Sequence, residues 1–235
     1  MNVVITGASS GIGYQTAYRF AVEHGAKVVA IARRGNRLSE LRESVLLEAC
    51  SGEIIPIELD LERIEKADLY NKVYNKVDSV DILINNAAKL LTKPFLEISS
   101  DDLKSMYGVN VFSIYTVIQA LFPLMEKGKW KHIVNITSIG GLGGTQKFPG
   151  LSGYSSSKGA VTILTECLAE EMREMGFKVN GLAFGAVQTE MLSKAFPGYV
   201  APITDVEIST FLMDFSMKGH QFFNGKVLPV SSTNP

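Results

Sequence analysis

Tyr154 and Lys158 stand four residues apart in the run Tyr154-Ser155-Ser156-Ser157-Lys158. In a helix that spacing puts both side chains on one face. A phenol with a pKa of about 10 is a poor acid or base near neutrality. A lysine cation beside it favours the phenolate and brings it nearer to proton-transfer use. Tyr-x-x-x-Lys also occurs by chance in many helices, so the pair needs company. Ser138 closes an apolar run, and Asn110 sits in Gly108-Val109-Asn110. Taken singly, Ser138 reads as a cap or turn residue and Asn110 as a helix defect or surface residue.

A second feature with chemistry lies near the N-terminus, in Thr6-Gly7-Ala8-Ser9-Ser10-Gly11-Ile12-Gly13. Glycines at 7, 11 and 13 let the backbone turn tightly and let a pyrophosphate approach the start of a helix. Free N–H groups and the helix dipole favour an anion there. The spacing is Gly-x-x-x-Gly-x-Gly, not the Gly-x-Gly-x-x-Gly of other dinucleotide folds. The same residues satisfy Gly-x-Ser-x-Gly, the nucleophile elbow of α/β-hydrolases. That elbow needs an earlier strand and loop to build an oxyanion hole, and only six residues precede this turn. His220 could be offered as its base, but no further triad member is suggested.

Positioning these groups falls to alternating elements. Apolar, β-branched runs predict strands at 2–6, 27–32, 53–59, 81–85, 131–137, 178–184 and 226–230. Helical spacing predicts helices at 12–24, 36–50, 62–77, 99–126, 154–175 and 204–217, with Ser99 or Ser100 capping the long one. Residues 140–153 hold six glycines and a proline and are expected as loop. Such alternation implies βαβ units and a doubly wound parallel sheet, an α/β architecture, with ligands outside the carboxyl ends of the strands. With no repeat, linker or low-complexity segment, residues 1–235 are read as one domain.

Composition narrows the classes. Of 235 residues 46% are hydrophobic and 20% charged, with 23 Lys and Arg against 24 Asp and Glu. Neither disorder nor a nucleic-acid partner fits that balance. A chain this long buries roughly 70–75% of its unfolded surface and needs no metal or disulfide. Cys50 and Cys167 lie far apart without metal spacing, which favours a reducing compartment; no metal site is expected. No apolar run approaches about 18 residues, so no membrane span is expected. Met-Asn-Val-Val-Ile opens as a strand rather than a signal peptide. His24 and His132 are expected at the surface, Cys167 in the core, and Trp130 packed.

The glycine turn, Asn85-Asn86-Ala87-Ala88, Ser138 and Tyr154 to Lys158 together resemble the short-chain dehydrogenase/reductase family, in order, from Asn2 to about Val230. The resemblance implies a Rossmann-type three-layer α/β/α fold on a sheet of about seven strands. It implies hydride transfer between a nicotinamide cofactor and a carbonyl or secondary alcohol. Tyr154 would exchange the proton, Ser138 would hydrogen-bond the substrate oxygen, and Lys158 would also hold the nicotinamide ribose. Asn110 would help hold a water linking Lys158 to solvent. The cofactor would be bound by Gly7, Ser9, Ser10, Gly11, Ile12 and Gly13, by Asp60 and Leu61 at adenine, and by Asn86 and Ala87 at its ribose. Gly185, Val187 and Thr189 would lie beside the nicotinamide. The usual acidic residue after the second strand is replaced by Ala32, followed by Arg33 and Arg34. That substitution favours a 2′-phosphate through charge-assisted hydrogen bonds, hence NADP(H) over NAD(H), with Arg33 the leading candidate. A small-molecule substrate, a cytoplasmic location and a homo-oligomer, dimer or tetramer, complete the expectation. A non-catalytic dinucleotide-binding or redox-sensing protein is the alternative.

Several departures bear on the site. Ala88 stands where the family has glycine, and Phe184-Gly185 where it has Pro-Gly, which is expected to loosen that turn. Gly140-Gly141-Leu142-Gly143-Gly144 is unusually glycine-rich. Fourteen residues, 190–203, separate Thr189 from the last helix, where relatives often hold a longer lid. An open site is expected, walled by 139–153 and 190–199. The chain is short for the family at the lid and at the C-terminal end.

Overall fold

The computed structural model describes residues 1–231; residues 232–235, the rest of the short C-terminal end, lie outside the described residues. Strands buried on both faces read as near-continuous apolar runs. They form β1 (Asn2–Thr6), β2 (Lys27–Ala32), β3 (Glu53–Glu58), β4 (Ile82–Asn85), β5 (His132–Ser138) and β6 (Lys178–Phe184). Two-residue β7 (Val187–Gln188) and β8 (Ile203–Thr204) pair with each other, and β9 (Val227–Val230) ends the described chain. The main sheet is parallel throughout, in the order β3-β2-β1-β4-β5-β6-β9. Its order reverses between β1 and β4, so their carboxyl ends open a crevice.

Helices cover both faces and complete a Rossmann-type three-layer fold. On one face, α1 (Gly11–His24), α2 (Gly35–Leu46) and α8 (Asp205–Lys218) bury Ala17, Phe20, Leu38, Leu41 and Leu212 against Ile5, Val28 and Ile84. On the other, α3 (Lys66–Tyr74), α5 (Ser113–Met125) and α6 (Ser152–Glu171) bury Leu69, Val117, Leu121 and Val161 against Val4, Leu83 and Ile133.

The departures from the expected elements have local causes. Residues 62–77 do not form one helix: the Asp60 carboxylate accepts from Glu62 N (3.1 Å), closing a 3₁₀ turn over Leu61–Arg63 before α3. Helix 99–126 is interrupted. It runs as α4 (Ser100–Tyr107), a π-helical turn Gly108–Phe112, and α5. Ser99 caps α4 in a capping box with Asp102. The continuous run Ser100–Met125 has a mean hydropathy of 1.5 in its most apolar window, enough to cross a membrane by length and composition. In the fold 61% of that window is buried against the sheet and its neighbours. The 190–203 segment holds a short helix, α7 (Glu190–Ala195), capped by Thr189, whose Oγ1 accepts from Leu192 N (3.2 Å). Gly141 serves close approach rather than flexibility: a Cβ there would stand 2.6 Å from the Lys158 carbonyl carbon.

Two surface-and-core expectations are reversed. Cys167 is exposed on α6. His132 is fully buried at the start of β5, because its ring is satisfied from both sides: Nδ1 lies 2.8 Å from Ser216 O, and Nε2 3.2 Å from Asn180 Nδ2. A carbonyl facing Nδ1 and an amide NH₂ facing Nε2 assign the neutral ring with its proton on Nδ1. His24 is exposed as expected, and Trp130 stacks on His220 at 5.5 Å.

Burial pushes the His132 pKa down to about 4. The unfolded chain, with an ordinary histidine near 6.5, binds that proton first as pH falls. Stability is therefore expected to drop between pH 6.5 and about 4, by roughly 3 kcal/mol from this ring. Urea unfolding across that window measures it, and His132→Asn should flatten the slope even where it lowers stability at pH 7.

Candidate active site

Residues at the carboxyl ends of the central strands enclose a cleft of about 920 Å³. The β1–α1 turn is its floor at one end. Gly7 has φ +71, and a Cβ there would lie 2.7 Å from Ala87 Cα, so only glycine lets the turn pack this closely on the end of β4. Thr6 Oγ1 accepts from the N–H groups of Asn86 (3.1 Å) and Ala87 (3.2 Å), and Asn86 Nδ2 donates back to Thr6 O (3.1 Å). These bonds hold Ala88 and its neighbours at the cleft wall without the family's glycine. Gly13 stands behind the turn, where a Cβ would collide with Asn86 and Gly7 O.

The start of α1 is chemically open. Ser10 makes no side-chain cap bond, and the first turn carries no acidic residue. Its hydroxyl accepts instead from Arg34, whose Nε also donates to Ser9 Oγ (3.2 Å). Uncapped N–H groups with a guanidinium beside them suit the phosphates of a dinucleotide. The arginine fastened to the turn is Arg34; Arg33 lines the cleft and helps to lower the Glu62 pKa, after Ser105 and Lys89. The nucleophile-elbow reading fails here. Ser9 is buried and engaged by Arg34, and His220 stacks on Trp130 and packs tilted against His132 at the opposite end of the sheet.

Ser138, Tyr154 and Lys158 meet at the middle of the cleft. Ser138 ends β5 and accepts from Gly140 N (3.2 Å), which turns the chain away. Its side chain adjoins Tyr154 in the cleft lining. Lys158, 1% exposed, donates from Nζ to Ile136 O (2.8 Å) and lies 5.9 Å from the Tyr154 ring centre. Burial pushes the Tyr154 pKa up to about 12, with Ser138 acting the other way, and pushes Lys158 down to about 8. The expectation that the lysine brings the phenol toward ionisation is thus outweighed by desolvation. At neutral pH Tyr154 keeps its proton and Lys158 its charge.

Asn110 does not reach the cleft. It is fully buried in the π-helical turn, where Oδ1 accepts from Lys89 N (2.7 Å) and Nδ2 donates to Lys89 O (2.9 Å) and Ser157 Oγ (2.9 Å). It clamps the loop following β4 onto α6 beside Lys158. Every other anticipated residue lines the cleft except Gly13: Gly7, Ser9, Ser10, Gly11, Ile12, Arg33, Arg34, Asp60, Leu61, Asn86, Ala87, Gly185, Val187 and Thr189. Phe184 is a buried core residue, and Gly185 N donates to Val230 O (3.0 Å), so that turn is pinned rather than loosened. Sequence reading missed Leu90, Leu91 and Thr92, which add a third wall. Their signal, an apolar pair after a strand end, is common to many loops. Between the two anticipated walls, Phe148 and Phe196 meet edge-on, 5.5 Å apart.

The family model for short chain dehydrogenase matches residues 1–199. The chain is 37% identical over 193 residues to an uncharacterized oxidoreductase of Staphylococcus saprophyticus, covering 80% of this chain and 75% of that one. It is 34% identical to carbonyl reductase [NADPH] 2 of Sus scrofa, covering 81% and 73%. Among solved structures, the 3-ketoacyl-(acyl-carrier-protein) reductase of Brucella melitensis complexed with NADH superposes with a TM-score of 0.84 at 25% identity, over 98% and 96% of the two chains. The chain belongs to the short-chain dehydrogenase/reductase family. It is an NAD(P)-dependent oxidoreductase of the carbonyl and alcohol class.

Thr6→Val keeps the shape but removes the acceptor shared by two backbone N–H groups. It should cost about 2–4 kcal/mol and weaken nicotinamide-cofactor binding, read by chemical denaturation and by cofactor fluorescence titration.

Proposed function

We propose that this chain is an NADP(H)-preferring oxidoreductase that interconverts a small-molecule carbonyl and its secondary alcohol, with Tyr154 as general acid and base. The observation that carries the reading is that Ser138 and Tyr154 line one cleft with the buried Lys158 cation 5.9 Å from the Tyr154 ring centre. A substrate oxygen seated there would accept from both hydroxyls. Tyr154, with its pKa pushed up to about 12, holds a proton to give to an oxygen gaining negative charge. Lys158 stabilises the phenolate left behind, because a cation in a desolvated site acts strongly on a new neighbouring anion. In the alcohol direction Tyr154 takes the proton back. Asn110 positions the segments on either side.

The nicotinamide supplies or accepts the hydride when bound. The N–H groups at the start of α1, with Ser9 to Gly13, would hold its pyrophosphate; Asp60 and Leu61 would meet adenine, and Asn86 and Ala87 its ribose. Lys158 would hold the nicotinamide ribose, with Gly185, Val187 and Thr189 beside the ring. Preference for the 2′-phosphate form rests on Ala32 in place of a carboxylate and on Arg34 beside the phosphate turn, with Arg33 adding charge. Residues 1–235 are read as one working domain, in the cytoplasm, as a homo-oligomer. The exposed apolar side chains Phe112, Tyr115 and Ile163 on the helical layer support self-association.

Two outcomes test the reading. With NADPH and a panel of ketones, aldehydes and quinones, Tyr154→Phe should lower kcat by about 10²–10⁴-fold while the cofactor Kd stays within about twofold. Reduction by wild type should decline above about pH 8 as buried Lys158 loses its proton. Cofactor binding without turnover of any carbonyl would favour a non-catalytic binding protein.

A further inference from the structure

Glu190 opens α7 at the mouth of the cleft, and the catalytic reading leaves it without a role. Its Oε2 accepts from Arg34 Nη1 (3.2 Å), and its Oε1 pairs with Lys194 Nζ (2.7 Å). Arg34 simultaneously donates Nε to Ser9 Oγ (3.2 Å) and Nη2 to Ser10 Oγ. One guanidinium therefore ties the phosphate turn to a helix 156 positions further along the chain. Arg34, Glu190 and Lys194 all line the same cleft.

We propose that Glu190 is a specificity-determining residue: an internal carboxylate that competes with the 2′-phosphate of NADP(H) for Arg34. This rests on the reading of Arg34 as that phosphate's partner. A phosphate monoester carries about −1.5 to −2 charge at neutral pH. Seating it on Arg34 brings it against a carboxylate already held by the same guanidinium, and like charges at that range repel. Releasing Glu190 is inexpensive. The bridge is solvent-exposed on both sides, 45% and 52%, and exposed pairs are weak. Lys194, one turn along α7, keeps the freed carboxylate partnered. NAD(H) lacks the phosphate and leaves the bridge in place. Glu190 thus penalises the phosphorylated cofactor selectively and couples α7 to the form bound.

The test measures equilibrium binding, independent of turnover. Kd values for NADPH and NADH are measured by fluorescence titration on wild type, Glu190→Gln, Arg34→Gln and the double variant. Glu190→Gln should tighten NADPH about 3–5-fold, the scale of an exposed ion pair, and leave NADH within about 1.5-fold. That gain should vanish in the Arg34→Gln background. In wild type, adenosine 2′,5′-bisphosphate should speed amide exchange over Glu190–Ala195 toward the rate of ligand-free Glu190→Gln, and 5′-ADP should not. An unchanged NADPH Kd, equal tightening of both cofactors, or a gain that persists without Arg34 overturns the proposal while leaving the cofactor reading intact. If Arg34→Gln weakens NADPH no more than NADH, Arg34 is not the phosphate's partner and the cofactor reading fails with it.

Discussion

The site depends on how α6 is held against β5. A lysine ammonium taken out of water needs a partner or the fold suffers, and Lys158 finds one in the Ile136 carbonyl at 2.8 Å. Around that bond runs a set of buried polar contacts. Thr137 Oγ1 donates to Lys158 O (2.8 Å), Asn135 Nδ2 to Thr165 Oγ1 (2.9 Å), and Asn85 Nδ2 to Asn135 Oδ1 (2.8 Å). Polar groups in a low-dielectric interior have few alternative partners, so such contacts fix register as well as contributing energy. They lock one helix at one height on two strands, and that height sets where Tyr154 meets Ser138.

The same burial sets the chemistry. Desolvation works against both charged forms, raising the tyrosine and lowering the lysine. A phenol that stays protonated beside a cation that stays charged is a donor whose conjugate base is already provided for. The ligand-free balance is that of a proton donor awaiting an oxygen that gains charge. A lysine exposed to solvent would keep its own charge more firmly but would stabilise a phenolate far less.

Much of this was legible in the residues. Continuous apolar strands alternating with helical spacing led to the parallel sheet, and the four-residue spacing of Tyr154 and Lys158 put both on one face of α6. The misreadings share a cause: tertiary partners that sequence does not reveal. His132 looks like a surface residue until Ser216 and Asn180, far along the chain, satisfy both ring nitrogens. Gly141 looks flexible until the backbone of α6 presses against it. That Arg34, not Arg33, bonds to the phosphate turn is a matter of side-chain direction, which two adjacent arginines at a strand end do not disclose. The short helix α7 was hidden for a simpler reason. Six residues carry too little periodicity to read, and the Thr189 cap that starts it resembles any strand-end threonine.

The central claim is that this cleft transfers hydride to a carbonyl carbon while Tyr154 protonates its oxygen. Reduction of a ketone with NADPH deuterated at C4 on one face, followed by mass and NMR analysis of the alcohol, tests it most directly. The account predicts deuterium on the carbinol carbon from one C4 face only, in a single product configuration. Alcohol formed without deuterium from either face, or no alcohol formed by a protein that binds NADPH, would contradict it.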